Sequence, residues 1–84
     1  MKILLLDDHK IFGESLKVLL EERGISCTYT SSIKNFYEEV EKDYDLILLD
    51  INLKEEETGF DILDKIHDKN KKIVILTSYD MINY

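Results

Sequence analysis

A single cysteine, Cys27, leaves this chain without a partner for an internal disulfide, and that usage fits a reducing, cytoplasmic setting. Apolar runs stop far short of the ~20 residues that a helix needs to cross a bilayer. The amino terminus does not read as a signal peptide, because its short apolar stretch runs straight into Asp7-Asp8. Low-complexity segments and internal repeats are missing too. Positive charge is scarce: 11 Lys and Arg stand against 18 Asp and Glu, a net charge of −7. Such a segment has no electrostatic grip on nucleic acid or on an anionic membrane. The acidity suits cation binding, although a solvated acidic surface is its commoner cause. At 84 residues, one domain over 1–84 is expected, burying roughly 60–65% of its unfolded surface and stable by a thin margin.

What is present alternates between two periods. Lys2-Ile3-Leu4-Leu5-Leu6 is apolar at nearly every position, as in a strand buried on both faces. From His9 the pattern becomes helical, with Phe12, Leu16, Leu19, Leu20 and Arg23 on one face. Asp8 is the expected cap of that helix and Gly24 its C′ residue. Ile25 to Thr30 alternates strictly and reads as an edge strand. Ser31 or Ser32 then caps a second helix, which buries Ile33, Phe36, Tyr37 and Val40 and turns Glu38, Glu39 and Glu41 outward. Asp45-Leu46-Ile47-Leu48-Leu49-Asp50 is the third strand. Thr58 and Asp61 resemble a capping box for a third helix, expected to bury Phe60, Leu63 and Ile66 and to end near Asn70. Lys72 to Leu76 makes a fourth, interior-type strand leading to Thr77-Ser78, with Ser78 or Asp80 available to cap a further turn.

Strands alternating with helices of this length imply right-handed crossovers, a parallel sheet and helices on both faces. No glycine-rich loop follows the first strand, which argues against the nucleotide-binding version of this architecture. The FMN-binding version fares no better, since carboxylates stand where a phosphate would need donors. Ligands of such sheets bind beyond the carboxyl ends of the strands. There the first strand delivers Asp7 and Asp8, and the third delivers Asp50. Three converging carboxylates repel one another, and a hard divalent cation, Mg²⁺ or Mn²⁺, removes the conflict. Asp50 is then placed to accept a phosphoryl group, chemistry that needs chiefly positioning and charge neutralisation. Thr77 and Ser78 supply hydroxyls at the end of the fourth strand.

These stretches resemble the receiver domain of bacterial two-component response regulators. The likeness rests on Ile3 to His9, on Tyr44 to Asp50, on Gly59-Phe60 and on Ile73 to Ser78, in that order and spacing. It implies an α/β, flavodoxin-like three-layer sandwich with strand order 2-1-3-4, incomplete with respect to the family's fifth strand and last helix. It also implies Asp50 as phosphoacceptor, Asp7 and Asp8 as Mg²⁺ residues, the backbone carbonyl of Asn52 as a further metal ligand, and Thr77 as the hydroxyl that follows phosphorylation. The implied donor is a phosphohistidine on a sensor histidine kinase. The start, Asp7-Asp8-His9 followed by Phe12-Gly13-Glu14-Ser15-Leu16, is most similar to regulators whose output domain is a helix-turn-helix DNA binder.

The departures carry expectations of their own. Where the family commonly has proline after the phosphoacceptor, this chain has Lys54 and then Glu55-Glu56-Glu57. The family's phosphate-pairing lysine and switching aromatic belong to the fifth strand, so an altered phosphoryl switch is expected for residues 1–84. An uncovered sheet face and a bare fourth strand predict a homodimer or swapped oligomer. Two other functions stay open: an interaction module signalling by dimerisation without phosphorylation, and, more weakly, a Mg²⁺-dependent phosphohydrolase. The hydrolase chemistry usually wants a carboxylate two residues after the nucleophile, where this chain has Asn52. His9 reads as a loop residue beside the site, and Tyr29 as a core or boundary aromatic.

Overall fold

A computed structural model describes residues 1–50, 59–66 and 72–76. The order is β1 (Lys2–Leu6), α1 (Lys10–Glu22), β2 (Ser26–Thr30), α2 (Ile33–Glu39), β3 (Leu46–Asp50), α3 (Gly59–Ile66) and β4 (Lys72–Leu76). All strand pairs are parallel, in the order β2-β1-β3-β4. This is the flavodoxin-like arrangement expected above. Residues 51–58 and the readings placed on Asn70, Thr77, Ser78 and Asp80 lie outside the described residues.

Strand residues alternate between two apolar clusters, which makes three layers. Leu4, Leu6, Ile47 and Leu49 face α2 and α3 and pack with Phe36, Val40, Ile62 and Ile66. Ile3, Leu5 and Cys27 face the other way, onto Leu16 and Leu20 of α1. Burial pushes the Cys27 thiol above its ordinary pKa, against the pull of Lys17, so it packs as a small protonated hydrophobe.

Local chemistry sets the helix ends. Ser32 caps α2 by accepting from the Asn35 N–H at 3.2 Å. At the end of α1, Gly24 takes φ 82°. Its N–H reaches the Glu21 carbonyl while the Ile25 N–H reaches that of Leu20, both at 3.0 Å. This is a Schellman turn, and Ile25 and Leu20 share the cluster beneath it. The start of α1 departs from expectation. Its N-cap is His9, whose side chain makes no capping bond, and Asp8 joins the acidic cluster described below.

Two helices turn a different face to the sheet than their apolar spacing implied. In α1 the buried residue is Gly13, with Leu16 and Leu20 beside it, while Phe12 and Leu19 are each 47% exposed. Lys17 ties one flank of α1 to β2 through the Cys27 carbonyl, at 2.8 Å. At about 100° per residue, Phe12 and Leu19 then lie on the opposite flank. That flank looks over the β3–β4 half of the sheet, where among the described residues no helix sits on the α1 side and Val74 is 44% exposed. In α3, Phe60 is exposed while Ile62 and Ile66 are buried and Leu63 partly so. Three-residue steps fall about 60° short of a turn each time, so Phe60 cannot share the face of Ile66.

At the amino-terminal rim of the sheet, the Tyr44 hydroxyl donates to Glu39 Oε1 at 2.6 Å and Lys42 bonds Oε2 at 3.1 Å. The tyrosine bond first, then Lys42, holds the Glu39 carboxyl below its ordinary range. Asp45 accepts the Lys2 N–H at 2.7 Å and returns its own N–H to the Lys2 carbonyl at 2.8 Å.

The packing predicts opposite fates for two phenylalanines. Phe36→Ala, in the core, should cost about 3–5 kcal/mol, enough to remove most of the cooperative urea transition of so small a domain. Phe12→Ala, on the open flank of α1, should move that transition by less than about 1 kcal/mol.

Candidate functional site

The site is made by register. Ile3 pairs with Leu46 and Leu6 with Leu49. One residue on, Asp7 follows Leu6 as Asp50 follows Leu49, so both carboxylates leave the sheet together and on the same face. Asp7 and Asp50 are each 1% exposed. Asp8 follows directly, and one ligand atom from each of Asp7, Asp8, His9 and Asp50 lies within 4.8 Å of all the others. The structure thus brings Asp7, Asp8 and Asp50 to one place, as their sequence positions implied. Asn52 and Thr77 lie outside the described residues.

Hydrogen bonds hold this corner from several directions. The Asp7 N–H continues the ladder to the Thr30 carbonyl at 3.2 Å. Asp7 Oδ1 accepts the His9 N–H at 2.8 Å, turning the chain toward α1. The His9 ring stands at the mouth, 44% exposed, with Nδ1 3.5 Å from Asp7 Oδ1 and 3.4 Å from Asp8 Oδ1. Both contacts are ion pairs when the imidazole is protonated. The side chain of Tyr29, from β2, reaches across and donates its hydroxyl to the Asp7 backbone carbonyl at 2.6 Å. That contact is invisible in the sequence, where Tyr29 is one aromatic of an alternating strand. Its signal is the pairing of Leu5 with Tyr29, which sets the ring two residues short of Asp7 on the same face.

Three carboxylates this close in a largely buried corner cost free energy, because little water is left to screen them. The donor set fits a hard divalent ion. Mg²⁺ binds oxygen at about 2.0–2.1 Å, so ligands opposite one another stand about 4.2 Å apart, close to the span of this cluster. Carboxylate oxygens suit Mg²⁺ or Mn²⁺ by hardness as well.

A parallel sheet of this order, with acidic residues ending its two central strands, defines a signalling receiver rather than a nucleotide-binding domain. The family model of the response regulator receiver domain matches residues 3–84, and the chain belongs to that family. The transcriptional regulatory protein ComA of Bacillus subtilis is 33% identical over 89 residues, an overlap covering 99% of this chain and 42% of ComA. The chain therefore spans less than half the length of this curated relative. Among solved structures, the response regulator TrrA of Thermotoga maritima, in complex with Mg²⁺-BeF, superposes with a TM-score of 0.83 at 29% identity. That likeness covers 94% of this chain and 70% of TrrA. TrrA in complex with the histidine kinase ThkA is similar at a TM-score of 0.83 and 28% identity, over 99% of this chain and 73% of that one. No helix among the described residues is long and apolar enough to cross a membrane.

Relieving the repulsion has a measurable consequence. Asp50→Asn should stabilise the protein in EDTA by on the order of 1 kcal/mol, raising Tm by about 4–8 °C. Calorimetry with and without chelator reads this, and any stabilisation that added Mg²⁺ gives the parent protein should shrink in the variant.

Proposed function

We propose that this chain is a phosphoacceptor receiver, in which Asp50 takes a phosphoryl group from a phosphohistidine of a sensor histidine kinase. The observation that carries the reading is the convergence of Asp7, Asp8 and Asp50 within one ion's reach. In the transfer, an Asp50 carboxylate oxygen forms the new bond to phosphorus as the phosphorus–nitrogen bond of the donor breaks, and the kinase imidazole leaves with the electron pair. Asp7, Asp8 and Asp50 would hold Mg²⁺ or Mn²⁺, joined by the backbone carbonyl of Asn52. When bound, the ion neutralises charge between the carboxylates and the phosphoryl oxygens. Thr77 is assigned the hydroxyl that donates to the phosphoryl group after transfer. The sheet's part is to keep the acidic oxygens oriented before the donor arrives, so that little reorganisation accompanies the reaction.

TrrA, bound to Mg²⁺-BeF and in another structure to ThkA, supports both the metal and the kinase as partners here. A cytoplasmic location goes with that reading. With its net charge of −7, this segment does not itself bind nucleic acid. The likeness to ComA, a transcriptional regulatory protein, supports a role in transcription through another part of a longer protein.

A second reading, self-association of the receiver fold, draws on the exposed Phe12, Leu19 and Val74 along the thinly covered side of the sheet. In this reading the receiver forms a homodimer or swapped oligomer.

Acetyl phosphate with Mg²⁺ tests the first reading by intact mass spectrometry, and beryllofluoride tests it by calorimetric titration. One phosphoryl increment that vanishes in Asp50→Asn is the expected result. A parent protein that takes up neither reagent overturns the reading, and light scattering of the same sample shows whether the chain associates regardless. Steady release of inorganic phosphate from a phosphate ester would instead mark a hydrolase.

A further inference from the structure

We propose that Tyr29 is a positioning residue for the acidic cluster, its hydroxyl locking the Asp7–Asp8 peptide in the orientation that aims both carboxylates at one ion. The inference rests on reading that cluster as a Mg²⁺ site.

The geometry is specific. The peptide between Asp7 and Asp8 is a planar unit whose carbonyl belongs to Asp7 and whose N–H belongs to Asp8. Its rotation sets ψ of the first residue and φ of the second, and through them the directions of both side chains. Beyond Asp7 the sheet ladder has ended, and the phenol of Tyr29 grips this carbonyl at 2.6 Å. Asp7 is thereby fixed at its N–H by Thr30, at its carbonyl by Tyr29 and at its carboxylate by the His9 N–H.

The path of the ring is built into α1. Gly13 is the one buried residue of that helix, and a Cβ there would overlap the Tyr29 ring at Cε1 and Cζ. Glycine inside a helix costs about 1 kcal/mol relative to alanine; here it makes room for an aromatic crossing from β2 to the end of β1. The phenol also stays a donor at neutral pH. Burial first, then the charges of Asp7, Glu14 and Asp8, raise its pKa above the ordinary tyrosine value.

Tyr29→Phe keeps the ring over Gly13 and removes only the hydroxyl. Tyr44→Phe is the matched control, since it deletes a phenol bond of the same 2.6 Å length at the opposite rim of the sheet. Titration calorimetry with MgCl₂ should show affinity about three- to tenfold weaker in Tyr29→Phe, the worth of one hydrogen bond, and unchanged in Tyr44→Phe. The Asp7 carbonyl ¹³C resonance should shift in Tyr29→Phe alone. Parent-like affinity in Tyr29→Phe, or equal weakening in both variants, overturns the proposal. Absence of Mg²⁺ binding in the parent protein is a different result: it removes the metal reading itself, and this inference with it.

Discussion

The alignment of β1 with β3 is the constraint on which the rest depends. Leu6 lies beside Leu49, so the next residue of each strand is an aspartate, and the two acids cannot avoid one another. At a separation of about 5 Å and an effective dielectric near 20, a pair of like charges repels by on the order of 3 kcal/mol. What keeps the strands in register despite this is apolar burial beneath α2 and α3. Leu4, Leu6, Ile47 and Leu49 are completely buried there, and each such side chain is worth about 1.5–3 kcal/mol. A slip of β3 by one residue would turn Ile47 and Leu49 to the other face. The core therefore imposes an electrostatic conflict at its end, one that the charge of a cation would relieve.

The two rims of the sheet are built differently. At the amino-terminal rim, charges meet partners of opposite sign or good donors: Glu39 with Tyr44 and Lys42, and Asp45 with the backbone of Lys2. Glu39, with its lowered pKa, contributes stability that is present above the ordinary glutamate pKa and lost as pH falls through its folded value. At the carboxyl rim, carboxylates are gathered together instead, braced by backbone hydrogen bonds and by a phenol. Opposite charges and donors are matched at one rim, and like charges are crowded at the other, where the apolar scaffold has to offset their repulsion.

Helix α1 mediates between these demands. Its contact with the sheet runs through Gly13, Leu16 and Leu20, a narrower base than its apolar residues would permit, because the Tyr29 ring occupies the place where a larger side chain would go. Phe12 and Leu19 are left standing over the β3–β4 half of the sheet. The apolar stripe of the sequence is thus real but divided, one part packed and the other facing a thinly covered surface. A helical period shows that a face exists and does not say which part of it meets the sheet.

Much of this protein was legible from residue order alone. Short apolar runs closed by aspartate, separated by helical periods, specify a parallel α/β sheet. The ends of its strands then name Asp7, Asp8 and Asp50, because strand ends are set by local composition. Gly24, and the pair Ser31 or Ser32 from which the structure takes Ser32, marked helix boundaries for the same reason: a positive φ and a side-chain cap are local requirements. Residue order could not show that Asp8 leaves the helix cap to His9, or that Tyr29 reaches the Asp7 carbonyl. Both depend on how β1, α1 and β2 are set against one another in space, and for Tyr29 that is decided by packing volume, the ring lying where α1 carries no side chain at Gly13.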